Sequence, residues 1–252
     1  MRESPNGGQG ACGPSLLGPL VLLRHGTSCA NRAGRSAGWE DTDLAPEGVS
    51  ESYRAAESLV STGVGIGAVH SSTLTRARRT AEIVATSLGL RSSDISESWR
   101  LNERHAGALE GLTRGEMVER FGRMPVRSWK RSLHVRPPQM DGSDSRHPKR
   151  DPRYREVPAG LLPSGEAGLD VLRRLLPYWQ SAIVQDLSAQ KGVLIVTHDY
   201  VIRLLMWQLQ GRPVDGPTGD QIPNGVPIRL WWNPESGRCA HSESTIEASD
   251  HQ

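Results

Sequence analysis

"GVLIVTHDYVIRLL", residues 192 to 205, sets two periodicities end to end. Residues 193 to 197 are an unbroken apolar run closed by Thr, too short for a helix and apolar on both faces, as a central parallel strand is. From about residue 200 to 210 the apolar residues recur at helical spacing, with His198 at the turn between the two patterns. Two other runs match the strand half, "GPLVLLRHG" at 18 to 26 and "VGIGAVHSS" at 64 to 72. Helical patterns at 46 to 62, which opens on Pro46, at 73 to 88 and at 166 to 186 lie between them. Strands alternating with helices predict an α/β three-layer sandwich, a mostly parallel central sheet with helices on both faces.

Residues 133 to 164 hold six prolines and no periodicity, which reads as a long surface excursion of the kind that is usually functional or disordered. The Gly-, Ser- and Pro-rich start, 1 to 17, and the polar end, 234 to 252, read as flexible tails around one domain at 18 to 233. The 252 residues carry 30 Lys plus Arg against 28 Asp plus Glu, a balance that argues for neither nucleic acid nor membrane as partner. No apolar stretch suits a signal peptide or a transmembrane helix. Cys12, Cys29 and Cys239 form no CxxC and leave an odd thiol, which favours a reducing, cytoplasmic setting.

Open parallel sheets collect ligands beyond the carboxyl ends of their strands. At that rim the three runs deliver Arg24-His25-Gly26, the segment Ser71 to Arg76, and His198. A lone histidine there is ordinarily structural; two histidines and two arginines on one rim are not. In "RHG" a planar cationic fork, a nitrogen nucleophile and a glycine that lets backbone approach closely stand together, the set that phosphoryl transfer uses. No HxxxH or HExxH occurs, and neither histidine has a carboxylate or thiol at ligand spacing, so no metal is expected.

With those residues the chain resembles the histidine phosphatase superfamily, and within it the cofactor-dependent phosphoglycerate mutases. The resemblance runs from about 20 to 232, on "LLRHGTSCANRAGRSAGWEDTDL" (22 to 44), "HSSTLTRARRTAEI" (70 to 83), "WRLNERHAGALEGL" (99 to 112), "WKRSLHVRPPQM" (129 to 140), "DPRY" (151 to 154), "VTHDYVIRLL" (196 to 205) and "IPNGVPI" (222 to 228). It implies that His25 becomes phosphorylated, that Arg24, Arg76 and His198 clamp the phosphate, and that Glu103 is the acid-base carboxylate. Ser28 and Asn31 match side chains that hold phosphate oxygens. Gly38, Arg104, Arg114, Lys130, Arg131, Asp199 and Tyr200 stand at substrate-binding positions. The resemblance further implies a small phosphorylated substrate, 2,3-bisphosphoglycerate as priming donor, and a homodimer or homotetramer. Plainer roles compete: a loop or cap for Ser28 and Asn31, a solvated helix face for Arg76, a surface pair with Arg104 for Glu103.

The substrate end departs from the family pattern. Ala106 replaces the aromatic of "ERHYG", Arg114 a lysine, Lys130 an arginine, Ala37 a Thr or Ser, and His198-Asp199-Tyr200 stands for His-Gly-Asn. Tyr200 is expected to fill the space left at Ala106 and to offer its hydroxyl to the phosphate or substrate. An ionised Asp199 at about 6 Å from a phosphate charge would oppose binding by on the order of 3 kcal/mol, about a hundredfold. It therefore caps the following helix, pairs with a pocket arginine, or meets a cationic substrate group. Three functions follow: a phosphoglycerate mutase-type transfer through His25, a phosphatase derived from a mutase, or a non-catalytic phosphate-binding protein.

Overall fold

A strand with a run of apolar residues on both faces needs cover on both, and β1 (Gly18–Arg24) has it at Leu20 to Leu23. Its side chains alternate: Leu20 and Leu22 enter one core cluster, Val21 and Leu23 the other. The same alternation holds in β4 (Val193–Thr197), which pairs parallel with β1 on one side and with β2 (Ala68–Ser71) on the other. β3 (Ile95–Glu97) extends the parallel set beyond β2; β5 (Pro227–Asn233) and β6 (Arg238–His241) add antiparallel strands beyond β1. The order is β3-β2-β4-β1-β5-β6. The computed structural model describes residues 18–189, 191–211, 221–233 and 235–241.

On one face lie α2 (Pro46–Ser61) and α3 (Thr75–Ser87), whose Ala55, Ala56, Ala77, Ala81 and Ala85 let the helices sit close to the sheet. On the other lie α6 (Gly168–Tyr178), a π turn at Trp179–Ile183, and α8 (Asp199–Leu209), with α7 (Val184–Ser188) completing the layer. The expected three-layer sandwich is the observed one. The helix expected over 166 to 186 is found as a continuous run from Gly168 to Ser188, with a π turn inside it. Pro177 lacks an N–H for the helical ladder, and the wider π turn follows within two residues.

Short helices α1 (Cys29–Arg32), α4 (Arg114–Phe121) and α5 (Arg123–Arg131) lie in the connections. The 133 to 164 segment is more than a surface excursion. It buries Leu133, Met140, His147, Tyr154 and Leu162, and Trp39 stacks on Tyr154 at 5.1 Å between ring centroids. The tail expected from 234 is also corrected in part: Arg238–His241 pairs with β5, Cys239 opposite Trp232, because β5 otherwise presents an open ladder. The expected N-terminal tail and residues 242 to 252 lie outside the described residues, as does Cys12; Cys29 and Cys239 are free thiols. No helix among the described residues is long and apolar enough to cross a membrane.

Candidate active site

Strand register builds the site. Arg24 pairs with Thr197 and Ser71 with Val196, so His25, Ser72 and His198 follow side by side at the carboxyl ends of three adjacent parallel strands. The ladder continues one step, His25 N donating to Thr197 O at 3.0 Å and Ser72 N to Val196 O at 3.1 Å. The His25 and His198 rings meet edge to face, 5.0 Å between centroids.

The imidazole of His25 is oriented by its own turn. Nδ1 lies 2.7 Å from Gly26 O, a group that can only accept, so Nδ1 carries the proton. Nε2 then holds the lone pair, and Arg76 Nε donates to it at 3.3 Å. Burial, followed by the charges of Arg76 and Arg24, holds the His25 pKa well below the usual histidine range. The ring is therefore a neutral nitrogen base with its free electron pair turned into a cationic pocket. Gly26 is required by packing: a Cβ there would stand 2.2 Å from the Gly48 carbonyl oxygen of α2.

Arg76 enters from the first turn of α3 and is 2% exposed, which excludes the solvated-face reading. Its terminal nitrogens donate to Glu40 O at 3.0 Å and Gly38 O at 2.8 Å. Gly38, with φ +54, turns the loop so that its carbonyl serves Arg76, and a Cβ would meet Glu110 Oε1 at 2.2 Å. Arg24 donates to Ile222 O at 2.5 Å, and Ile222 N donates in turn to Asp199 Oδ1 at 2.8 Å. Asn224 and Gly225 close the same loop onto the His25 and Arg24 carbonyls. Arg24 Nε and His198 Nδ1 are buried with no hydrogen-bond partner among the described residues.

Asp199 thus does not cap α8. It is the first residue of the helix, makes no cap bond, and pairs with Arg203 one turn on at 2.9 Å. Of its three sequence-based readings the arginine pair is the one found, with the Ile222 amide as its other partner. Its charge is also the leading neighbouring charge that offsets the burial of Arg24.

Glu103 is held by a clasp from α6. Buried Arg174 donates to the carbonyls of Arg100, Asn102 and Glu103 at 2.7 to 2.9 Å and forks onto Glu166 at 2.7 and 3.0 Å. Glu166 accepts from His105 N at 2.8 Å. The Glu103 carboxyl accepts from Arg104 N, and burial together with the charge of Asp199 raises its pKa above the usual carboxylate range. A carboxyl whose pKa is raised in this way is suited to hold a proton and pass it on.

The remaining site positions divide. Ser28 and Asn31 form the capping box of α1, Ser28 Oγ donating to Asn31 Oδ1 and accepting from Asn31 N. Arg104 stacks over the Tyr200 ring at 4.4 Å and donates to Trp129 O. Lys130 on α5 is exposed at its surface, and partial burial of its ammonium together with the charges of Arg114 and Arg104 lowers its pKa, so the three cations share one end of the site. Arg131 ends α5, and its side chain lies outside the described residues. Tyr200 corrects an expectation. Its ring joins the core beneath Arg104, and its hydroxyl is buried and unpartnered beside Gly168, where a Cβ would come within 2.7 Å. Ala106 packs in a separate cluster with Leu109, Met117 and Val126. The second position of α8 points into the core, so the ring cannot offer its hydroxyl to the rim.

Sequence reasoning singled out neither Ser72, Asn102 and Tyr154 nor Arg174 and Glu166. The first three sit inside quoted motifs, where a buried polar side chain in an apolar setting was the available signal. Arg174 looks like the polar face of a helix.

A family model described as the histidine phosphatase superfamily, branch 1, matches residues 20–147 and 139–245. A 2,3-bisphosphoglycerate-dependent phosphoglycerate mutase of Nitratidesulfovibrio vulgaris (strain DP4) is 41% identical over 208 residues, 82% of this chain and 83% of that protein. One of the same name from Thermobifida fusca (strain YX) is 41% identical over 214 residues, 84% and 86% of the two chains. Among solved structures, a mycobacterial glucosyl-3-phosphoglycerate phosphatase with VO3 superposes with TM-score 0.69 at 24% identity, covering 90% of this chain and 98% of that one.

Proposed function

The chain belongs to the histidine phosphatase superfamily, a superfamily of enzymes, and on that premise we propose that it interconverts 3-phosphoglycerate and 2-phosphoglycerate through a phosphohistidine at His25. The observation that carries the chemistry is the His25 ring: Nδ1–H locked on Gly26 O and the Nε2 pair turned toward Arg76. The identity to mutases over more than four-fifths of the chain supports the substrate, as do the clustered cations Arg104, Arg114 and Lys130, which suit a carboxylate.

In the transfer the Nε2 pair forms a bond to phosphorus while the bond from phosphorus to the ester oxygen breaks. Glu103, protonated at that moment, gives its proton to the leaving oxygen. In the reverse sense the Glu103 carboxylate takes the proton of an acceptor hydroxyl, and the phosphoryl group leaves His25. Arg24 and Arg76 stabilise charge on the transferring group. The unpartnered Arg24 Nε–H fits a phosphate oxygen, and His198 Nδ1 does so once it takes up a proton. When bound there, 2,3-bisphosphoglycerate would be held by Arg24, Arg76 and His198 and would supply the phosphoryl group that primes His25.

A phosphomonoester phosphatase is the second reading, favoured by the departures at the substrate end, where Ala106, Lys130, Asp199 and Tyr200 replace the residues of the mutase pattern. Product analysis separates the two. Purified protein given 3-phosphoglycerate and a trace of 2,3-bisphosphoglycerate is expected to form 2-phosphoglycerate with little free phosphate. Free phosphate as the main product would replace the mutase reading with the phosphatase one. The proposal includes a cytoplasmic homodimer or homotetramer, which light scattering after size exclusion tests.

A further inference from the structure

We infer that Ser72, Asn102 and Tyr154 are positioning residues for phosphoryl transfer: their buried hydrogen-bond chain fixes His198 as the Nε2–H tautomer and leaves Nδ1 as the nitrogen that serves the phosphate pocket. The inference rests on the reading of His25 and His198 as a phosphoryl site.

The polarity of the chain follows from one backbone group. Thr73 N–H can only donate, and it lies 3.1 Å from Asn102 Oδ1, which fixes the amide with its oxygen toward residues 72 and 73. Thr73 Oγ1 donates to the same oxygen at 2.9 Å, and Asn102 Nδ2 points away, donating to Tyr154 OH at 2.8 Å. Ser72 Oγ lies 2.8 Å from Asn102 Oδ1, an acceptor, so the single hydroxyl proton of Ser72 goes there. The other neighbours of Ser72 Oγ must then donate to it: Leu74 N at 3.2 Å and His198 Nε2 at 2.8 Å.

His198 Nε2 accordingly carries a proton, and Nδ1 is the buried, unpartnered atom beside His25. All four side chains are at most 3% exposed, so water does not compete for these bonds. In the free protein, burial and the charges facing the ring, Arg76 from α3, Arg24 at the end of β1 and Arg174 from α6, keep His198 neutral, with the His25 ring beside it. An entering phosphate opposes those charges, and the fixed tautomer offers Nδ1 as the site of proton uptake, turning a bare acceptor into a charged donor to phosphate. Tyr154 belongs to the 133 to 164 segment, so this chain also ties the placement of that segment to the phosphate end.

The test is long-range 15N–1H correlation on the full-length protein labelled at histidine, with and without inorganic phosphate. The expected result is His198 as the Nε2–H tautomer near neutral pH, becoming imidazolium on phosphate addition. A wild-type His198 protonated at Nδ1 alone, or one that stays neutral with phosphate bound, overturns the inference without any variant. In Ser72→Ala, kcat is expected to fall roughly tenfold to a hundredfold, as for outer partners of functional histidines, with the acid limb of its pH profile displaced and the tautomer signal mixed. Ser72→Thr, which keeps the hydroxyl, should restore the tautomer. A folded Ser72→Ala with unchanged His198 signals and pH profile also overturns it. Release of free phosphate in place of 2-phosphoglycerate would remove the mutase reading and leave the tautomer result standing.

Discussion

Asp199 sets a carboxylate next to a phosphate-binding histidine, and two hydrogen bonds resolve the conflict. Oδ1 takes the Ile222 amide while the Ile222 carbonyl takes Arg24, and Oδ2 takes Arg203. The carboxylate aligns a phosphate-binding arginine through one peptide unit and is itself neutralised one helical turn away. A hydrogen bond to a charged group contributes about 1.5–3 kcal/mol, so Asp199→Ala is expected to lower kcat/KM tenfold to a hundredfold. Asp199→Asn, which can still accept from Ile222 N, should lose less. Equal loss in both, in steady-state kinetics, would mean that the charge and not the Ile222 anchor matters. Tyr200 gives the opposite forecast. Its hydroxyl has no partner in the core, so Tyr200→Phe should leave kcat and KM within about twofold and should not lower Tm; a tenfold rise in KM would restore the discarded role for that hydroxyl. His25, Arg24, Arg76, Glu103 and His198 were legible in the sequence because each stands in a short motif at a strand end. The direction of the Tyr200 side chain was not legible, because it depends on which face of α8 meets the sheet.

At the scale of elements, site geometry is set by how closely helices approach strand ends. Gly48 in α2 illustrates two competing effects. Alanine in a helix is favoured over glycine by about 1 kcal/mol, yet a Cβ at Gly48 would stand 2.1 Å from Thr27 O, a backbone atom that cannot swing aside. Overpacking typically destabilises by about 1–3 kcal/mol, so Gly48→Ala is expected to lower Tm, by roughly 2–4 °C per kcal/mol, and to impair His25. A higher Tm by calorimetry would show that the loop yields. The α6 clasp makes a second forecast: Arg174→Ala leaves the Glu166 charge buried without its cation, with the His105 amide its one remaining donor among the described residues, a loss of about 3–5 kcal/mol. Pairing it with Glu166→Gln should recover part of that loss in urea unfolding. The alternation of strands and helices was plain from periodicity. The π turn after Pro177 and the strand at 238–241 were not, because one depends on how a helix accommodates a proline and the other on an open edge supplied by β5.

Across the whole molecule, burial places titratable groups in their neutral forms, and stability acquires a pH dependence with two signs. His25, His70, His105 and His198 are all lowered by burial, His105 to about 3. The unfolded chain would protonate them below about 6.5 while the folded one does not, so their contribution is present above 6.5 and is lost as pH falls through the acid range. Glu110, pushed up to about 8 by burial, does the reverse. The fold keeps its proton where the unfolded chain has released it, so that contribution is full below about 4.5 and declines as pH rises to 8. The urea midpoint should therefore drop from pH 6.5 to 5, where the four buried histidines outnumber the buried carboxyls Glu103 and Glu110. It should also drop from pH 7 to 9 in the wild type and less in Glu110→Gln; identical alkaline slopes would contradict a protonated Glu110. The sequence displayed the two-histidine rim but not the pairing register that places Arg24 beside Thr197, on which everything at the site depends. That register puts one nitrogen, His25 Nε2, where the account requires a nucleophile. The most direct test is rapid quenching after exposure to 2,3-bisphosphoglycerate, followed by peptide mapping under alkaline conditions. One acid-labile, base-stable phosphoryl group is expected on His25, bonded at Nε2 and absent from His25→Ala. A phosphoryl group on another residue, or turnover that persists in His25→Ala, would contradict it.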